Sequence, residues 1–257
     1  MNHSKVAEYI SQWLKDYCEN AKMNGFAIGI SGGIDSAVTS TLCALTSKNV
    51  ILVNMPIKQS ENEYQRAIEH IENLKSRFGN VSSIEVNLTS SFDELQSVLP
   101  NEAVNNLLSM ANTRSRLRMT TLYAIAQSHN YLVAGTGNKI EDFGIGFFTK
   151  YGDGGVDVSP IADLMKSEVF ALGKELTIVE SIQNAAPTDG LWGDQRTDED
   201  QIGASYPELE WAMNFNGEES KLNPRQQEVL EIYRKLNRVN QHKMLPIPVC
   251  IIPTHLR

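Results

Sequence analysis

The sequence has little cysteine, and its cysteines lie far apart. Cys18, Cys43 and Cys250 are odd in number, and none belongs to a CxxC pair. Neither a disulfide framework nor a zinc site is therefore expected. We expect these side chains to be small, buried hydrophobic groups of a protein that works in a reducing compartment.

Positive charge is also in deficit, and long apolar runs are missing. The 257 residues carry 23 Lys+Arg against 31 Asp+Glu, a formal net charge of −8. This balance argues against a nucleic-acid partner and against a polybasic membrane anchor. No run approaches the roughly 18 apolar residues of a membrane span, and charges interrupt residues 1–22 too often for a signal peptide. We expect a cytoplasmic protein with no membrane partner.

The pattern along the chain predicts an α/β fold in one domain, residues 1–257. Short apolar segments alternate with amphipathic helical patterns, which is typical of βαβ units. We therefore predict a Rossmann-like, doubly wound parallel sheet with helices on both faces. The first helix should bury a stripe made of Val6, Ile10, Trp13, Leu14 and Tyr17. The predicted strands are 26–30, 49–55, 81–88 and 131–134, and the later helices are 37–45, 60–78, 101–129 (one long or broken helix), 166–176 and 224–239.

The segment GISGGIDS, residues 29–36, joins the first predicted strand to the next helix. Ligands bind at the carboxyl ends of parallel strands, where a helix N-terminus attracts phosphate. Gly32 and Gly33 would allow positive φ and a close approach of backbone N–H groups to an anion. Asp35 adds negative charge, so its role there would be to hold Mg²⁺, which in turn holds phosphate oxygens. The alternative is an ordinary turn capped by Asp and Ser, and the segment is neither a Walker A loop nor GxGxxG.

SGGIDS resembles the pyrophosphate-binding loop of the ATP pyrophosphatases, which activate a carboxylate or carbonyl group by adenylation. Further segments resemble one family among them, the NAD synthetases, and occur in the same order. They are NTRSRLRM at 112–119, GTGNKIE at 135–141, FFTKYGDGG at 147–155, LMK at 164–166, APT at 186–188 and HK at 242–243.

The resemblance implies a role for each matching residue. ATP would contact Gly29, Ile30, Ser31, Gly32, Gly33, Ile34, Asp35, Ser36, Thr136, Lys166 and Thr188. Deamido-NAD would contact Arg116, Lys150, Asp157, His242 and Lys243. Mg²⁺ would be held by Asp35 and Glu141, and the catalytic residues would be Asp153 and Lys166.

Several of these residues also have an alternative reading from local pattern alone. A lone Glu141 on a helix is usually solvated, and His242-Lys243 could simply favour the negative end of a helix. Lys166 near a helix start is unfavourable to the dipole unless it serves an anion. Arg114 and Arg118 share a helix face away from Arg116, so we expect them at the surface or in salt bridges, outside any patch formed by Arg116.

The glycine-rich stretch 144–157 is expected to lack a regular element and to act as a binding loop. Its Asp153 is a candidate to receive ammonium and take its extra proton. We expect this stretch and residues 187–200 to be mobile without ligand.

The resemblance implies ATP-dependent amidation of deamido-NAD to NAD with ammonia, through an acyl adenylate, by a homodimer. A single domain of this length leaves no room for a glutaminase domain, so ammonia would come from solution or a separate partner. Two other readings stay open: another adenylating ATP pyrophosphatase, such as a tRNA-modifying enzyme, and a non-catalytic adenine-nucleotide sensor. The acidic charge and the missing CxxC disfavour the first, and retention of Asp35 and Glu141 disfavours the second.

Overall fold

A parallel sheet organises the part of the chain that the structure describes. This computed structural model describes residues 1–188, 190 and 197–257. Four strands lie in the order β3-β2-β1-β4. They are β1 (Gly25–Gly29), β2 (Asn49–Asn54), β3 (Val81–Glu85) and β4 (Leu132–Val133). The predicted parallel α/β fold is confirmed, and a further bridge pairs Ala134 with Val158 beyond β4.

Helices follow the strands and cover both faces of the sheet. They are α1 (His3–Asn20), α2 (Ile34–Leu45), α3 (Glu61–Arg77), α4 (Thr89–Val98), α5 (Asn101–Val104), α6 (Leu107–His129), α7 (Lys166–Glu175), α8 (Glu180–Gln183), α9 (Asp198–Ile202), α10 (Tyr206–Asn214) and α11 (Pro224–Met244). A π-helix spans Ile140–Ile145, and 3-10 turns span Glu219–Lys221 and Thr254–Leu256. Of the two forms predicted for residues 101–129, one long helix or a broken helix, the structure has the broken helix, which divides into α5 and α6.

Strand β1 shows how one apolar run can face two cores. Phe26 and Ile28 pack into a core with α1, α2, α3 and α7. Ala27, between them, packs into a second core with α4 and α6 on the other face. Successive side chains of a strand point to opposite faces, so a strand covered on both sides has to be apolar throughout. A third cluster joins the π-helix, α10 and α11 beside the sheet.

The predicted apolar stripe of α1 is partly wrong. Ile10 and Leu14 are buried, but Trp13 is 39% exposed and Tyr17 is 42% exposed. The buried face is completed by Ala7 and Cys18. Trp13 and Tyr17 instead pack against each other at the partly exposed edge of the helix, with their ring centroids 5.7 Å apart.

The prediction that every cysteine is buried is wrong for one of them. Cys18 and Cys43 are buried in the core, where burial raises the thiol pKa of each. Cys250 is exposed after α11.

None of the described helices is long and apolar enough to cross a membrane.

The glycine-rich stretch is more regular than predicted at its start. Gly144 lies inside the π-helix, and Gly146, with φ +64°, caps its C-terminal end. Turns then carry the chain through residues 150–154. Of the second stretch that we expected to be mobile, 187–200, residues 189 and 191–196 lie outside the described part of the chain.

Candidate active site

The loop between β1 and α2 has a conformation that depends on one glycine. Gly32 has φ +81°, and a Cβ placed there would lie 2.5 Å from the backbone oxygen of Glu63. Gly33 was also predicted to use positive φ, and this is wrong, because its φ is −99°. Its N–H donates to Oγ of Ser31 at 3.2 Å, and Oγ of Ser36 donates to the Gly33 carbonyl at 3.0 Å. The serine hydroxyls thus hold the loop closed at the start of α2.

Lys166 brings together the two predicted metal ligands. Its Nζ donates to Oδ2 of Asp35 at 2.5 Å and to Oε1 of Glu141 at 3.0 Å. The Lys166 side chain is only 4% exposed. Asn138 donates its amide to the other Asp35 oxygen at 3.2 Å. Lys166 begins α7, as predicted, and its buried ammonium is balanced by two carboxylates.

Burial and the neighbouring charges shift the pKa values of the Lys166–Asp35 pair in opposite directions. Burial alone would lower the pKa of Lys166, but Asp35 and Glu141 outweigh it and raise that pKa above its usual value. Burial raises the pKa of Asp35, against the opposing effect of Lys166. The 2.5 Å contact favours the ionised pair, and we take Lys166 to be charged.

Tyr206 of α10 belongs to the same cluster, although no sequence motif marks it. Its hydroxyl donates to Oε1 of Glu141 at 2.6 Å and lies 3.1 Å from Oδ2 of Asp198. The Lys166 ammonium lies 4.7 Å from the centre of the Tyr206 ring. Burial raises the pKa of Tyr206, so its hydroxyl keeps its proton and acts as a donor. Tyr206 therefore fixes the orientation of Glu141.

The two carboxylates form a donor set that fits Mg²⁺. This ion prefers oxygen ligands and is commonly bound by one or two carboxylates together with substrate phosphates. Asp35 and Glu141 both reach one ammonium group, so their oxygens converge on a common point. Within the described residues, no group of three or more His, Cys, Asp or Glu side chains could hold a metal. Phosphate oxygens and water would have to complete the coordination.

Two adjoining cavities lie at the carboxyl ends of the strands. The larger measures about 580 Å³ and the smaller about 130 Å³. Both are lined by Ser31, Glu63, Thr136, Phe147, Asp153 and Thr188. Every residue predicted to contact ATP lines at least one of them, and Glu141 lines the smaller one.

Four of the five residues predicted for deamido-NAD line the larger cavity. They are Arg116, Lys150, His242 and Lys243. Asp157 is not among the lining residues. Its Oδ2 accepts the Val133 N–H at 2.8 Å, and its Oδ1 accepts the Tyr123 hydroxyl at 3.0 Å. In this structure, Asp157 connects the glycine-rich stretch to β4.

Arg114 and Arg118 do not lie at the open surface, which was one of the two placements expected for them. Both are half-buried. Arg118 lines the larger cavity together with Arg116, and its Nε donates to the Met55 carbonyl at 3.0 Å. Arg114 stacks over the Phe92 ring at 4.8 Å, and burial lowers its pKa. Long side chains let Arg116 and Arg118 reach one cavity from different sides of α6.

The end of α11 and the glycine-rich stretch hold each other at the rim of the larger cavity. Lys243 donates to the Phe148 carbonyl at 2.7 Å and lies 5.0 Å from the Phe148 ring. Lys150 donates to the His242 carbonyl. Burial lowers the pKa of Lys243. The sequence pattern assigned these residues to one site but did not predict their mutual contacts.

Asp153 stands where the two cavities meet. Its Oδ1 accepts hydrogen bonds from the Ser115 hydroxyl at 2.6 Å and from the Thr149 N–H at 3.1 Å. Desolvation raises the pKa of the Asp153 carboxyl, against the opposing effect of its hydrogen bonds from Ser115 and Thr149. Asp153 therefore lines both cavities.

Comparison with known proteins points to one family. The NAD synthase family model matches residues 6–246. The NH(3)-dependent NAD(+) synthetase of Finegoldia magna is 38% identical over 223 residues, which are 86% of this chain and 89% of that protein. The NMN synthetase structure from Francisella tularensis has a TM-score of 0.85 and 32% identity, covering 99% of each chain. The NH3-dependent NAD synthetase of Campylobacter jejuni has a TM-score of 0.78 and 26% identity, covering 98% of this chain and 100% of that one.

Proposed function

The chain belongs to the NAD synthase family, and on that basis we propose that it amidates deamido-NAD with ammonia while ATP is cleaved to AMP and pyrophosphate. The observation that carries the proposal is the convergence of Lys166, Asp35 and Glu141 beside the loop 29–36. Such a cluster of one buried cation and two carboxylates suits a bound magnesium–nucleotide complex. A nucleotide sensor would not need the larger cavity, which Arg116 and Lys150 line, for a second substrate.

The β- and γ-phosphates of ATP would bind at the loop and the N-terminus of α2. Helix N-termini and closely spaced backbone N–H groups attract phosphate. Asp35 and Glu141 would hold Mg²⁺, which supplies positive charge that neutralises the phosphate oxygens. Lys166 would then turn from the carboxylates to the α-phosphate, where charge develops.

The first chemical step would join the nicotinate carboxylate to the α-phosphorus. A carboxylate oxygen forms a bond to that phosphorus, the bond to the bridging oxygen breaks, and pyrophosphate leaves with the electron pair. The chain's contribution is to position the two anions and to neutralise them. Since the whole protein carries a net charge of −8, this attraction has to be local, and Arg116, Arg118 and Lys150 supply it in the larger cavity.

The second step would replace AMP by ammonia at the activated carbonyl. The nitrogen lone pair forms the C–N bond, the bond to the AMP oxygen breaks, and AMP leaves. One proton has to leave the nitrogen, and Asp153 is the carboxylate at the junction of the two cavities that could take it. Relatives named NH(3)-dependent support free ammonia as the nitrogen donor.

A second candidate substrate is the mononucleotide of nicotinate. The Francisella tularensis structure, an NMN synthetase, shares more identity with this chain than the Campylobacter jejuni NAD synthetase does. Both reactions amidate the same ring, so the loop, Lys166 and Asp153 would act alike. The curated relatives favour the dinucleotide. One incubation with MgATP, ammonium and equal concentrations of the two nucleotides distinguishes between these substrates, because the ratio of the products gives the ratio of the kcat/KM values.

We further propose that the chain works as a homodimer. Leu108 lines the larger cavity although it is 58% exposed, and Leu107 and Tyr151, the chain neighbours of the lining residues Leu108 and Lys150, are also exposed. A second copy covering these apolar groups would complete the wall. The molar mass in solution, measured by light scattering, tests this, and a monomer at assay concentrations would refute it.

The test of the proposed activity is direct. The protein is mixed with MgATP, deamido-NAD and ammonium, and AMP, pyrophosphate and NAD are measured. We expect the three products in equal amounts. ATP binding without pyrophosphate release would favour a nucleotide sensor.

A further inference from the structure

Ser115 and Asp153 form a reciprocal pair of hydrogen bonds. The Ser115 hydroxyl donates to Oδ1 of Asp153 at 2.6 Å and accepts the backbone N–H of Asp153 at 3.0 Å. Ser115 is buried on α6, whereas Asp153 belongs to the glycine-rich stretch. One hydroxyl therefore fixes both the backbone and the carboxylate of Asp153.

The neighbouring contacts make this attachment specific to one face of α6. Asn112, one turn before Ser115, accepts the Thr149 hydroxyl at 2.7 Å. Arg116 donates to the Lys150 carbonyl at 3.1 Å. Gly152 permits the close approach, since a Cβ there would lie 2.3 Å from Oγ of Ser115. The stretch is thus held against α6 at three successive points.

The bonds saturate one carboxylate oxygen of Asp153 and leave the other for a ligand. Oδ1 receives two donors, from Ser115 and from the Thr149 N–H. Among the described residues, no donor is found for Oδ2. The Asp153 carboxylate, which includes Oδ2, lines both cavities. Among the described lining residues, Glu63 carries the only other carboxylate that the two cavities share.

We propose that Ser115 is a positioning residue that holds Asp153 so that its second carboxylate oxygen receives the ammonium substrate. The inference rests on the proposed function and adds to it the residue that sets the geometry of nitrogen delivery. Without the Ser115 hydroxyl, the Asp153 carboxylate can rotate, and the backbone N–H of Asp153 loses its hydrogen-bond partner. The ammonium ion is small and makes few contacts, so its binding depends on a correctly placed oxygen more than ATP binding does.

The experiment compares Ser115→Ala with Thr121→Val. Thr121 lies on the same helix and is half-buried, and within the described part of the chain its hydroxyl bonds only to the Leu117 carbonyl. Initial rates are measured at varied ammonium with saturating ATP and nucleotide, and then at varied ATP. A hydrogen bond to a charged group justifies an expected rise of about tenfold in KM for ammonium in Ser115→Ala. KM for ATP should stay within about twofold, and Thr121→Val should match the unchanged chain in both.

Two further variants separate positioning from a loss of folding. Ser115→Thr keeps the hydroxyl and should recover most of the ammonium affinity. In an Asp153→Asn background, Ser115→Ala should raise KM for ammonium little further, because the effects of substituting two residues that act through one another are not additive. An unchanged KM for ammonium in Ser115→Ala, or a parallel loss in every parameter that Ser115→Thr fails to recover, would overturn the inference. No turnover by the unchanged chain would refute the proposed function and this inference with it, whereas turnover with an unaffected Ser115→Ala refutes this inference alone.

Discussion

Oδ2 of Asp35 and Nζ of Lys166 lie 2.5 Å apart, although 131 positions separate the two residues in the chain. Asp35 stands in the first turn of α2 and Lys166 is the first residue of α7. The contact places a cation and a carboxylate at two helix N-termini, where phosphate also binds favourably. The site is therefore assembled by the packing of α7 against α2, and one ammonium group faces two carboxylates before a substrate arrives.

Replacing Lys166 by Met should damage both catalysis and folding. Removing one partner of a buried ion pair leaves uncompensated charge, and we expect a loss of about 3 kcal/mol in the free energy of unfolding. The rate should fall about a hundredfold or more, because stabilisation of the transition-state charge is lost. Urea unfolding and kcat measure the two effects. Lys139→Met is the matched control, since it breaks an exposed ion pair with Asp163, and changes of similar size in both variants would contradict the account.

Replacing Tyr206 by Phe should weaken the response to Mg²⁺ while keeping the fold. The ring remains, but Glu141 loses the hydroxyl that orients it. Loss of a hydrogen bond to a charged group predicts that roughly tenfold more Mg²⁺ is needed for half-maximal rate. A magnesium titration of the rate at saturating ATP measures this. Tyr64→Phe removes an equivalent hydroxyl–carboxylate bond to Glu85 on the exposed surface and should leave the titration unchanged. An unshifted titration in Tyr206→Phe would show that Glu141 needs no such support.

Replacing Gly32 by Ala should impair nucleotide binding through the backbone. The positive φ is unfavourable for alanine by about 1–2 kcal/mol, and the added Cβ would lie 2.5 Å from the Glu63 carbonyl oxygen. The loop therefore has to shift, and we expect a clear increase in KM for ATP and a lower melting temperature. Gly79→Ala serves as the control, because a Cβ there meets nothing within 4 Å. Equal KM values for the two variants would contradict the predicted loop strain.

His70 should make the stability of the protein depend on pH. It is buried between α2 and α3, with Nε2 2.9 Å from Oγ of Ser40, and burial lowers its pKa to about 4. Its folded pKa lies below its ordinary value, so the unfolded chain binds more protons between about pH 6.5 and 4. The contribution of neutral, buried His70 to the free energy of unfolding should therefore be fully present above pH 6.5. It should fall by up to about 3 kcal/mol as the pH drops towards 4. Urea unfolding of the unchanged chain and of His70→Gln over this range measures the difference, and identical slopes would contradict the prediction.

Much of the fold follows from local pattern, because fully buried parallel strands must be apolar throughout. This is why β1 and β2 were predicted near their observed bounds, with the SGGIDS loop between β1 and α2. Helix α4 was missed because Phe92 is its only buried side chain, so it has little apolar periodicity.

The site could be predicted only where a residue carries a motif. Asp35, Glu141 and Lys166 were named from the resemblance, and the structure brings them together. Tyr206 and Ser115 were missed because their partners, Glu141 and Asp153, are distant in sequence and neither residue type signals such a contact. The contacts of Asp157 with Val133 and Tyr123 were missed for the same reason, because only tertiary packing reveals them.

The central claim is that nucleotide amidation by ammonia is coupled to cleavage of ATP between its α- and β-phosphates. The most direct measurement follows every product of one incubation containing the protein, MgATP, deamido-NAD and isotopically labelled ammonium. We predict equal amounts of AMP, pyrophosphate and NAD, with the label in the amide nitrogen. Formation of ADP and phosphate, or release of pyrophosphate without a labelled amide on either the dinucleotide or the mononucleotide, would contradict the account.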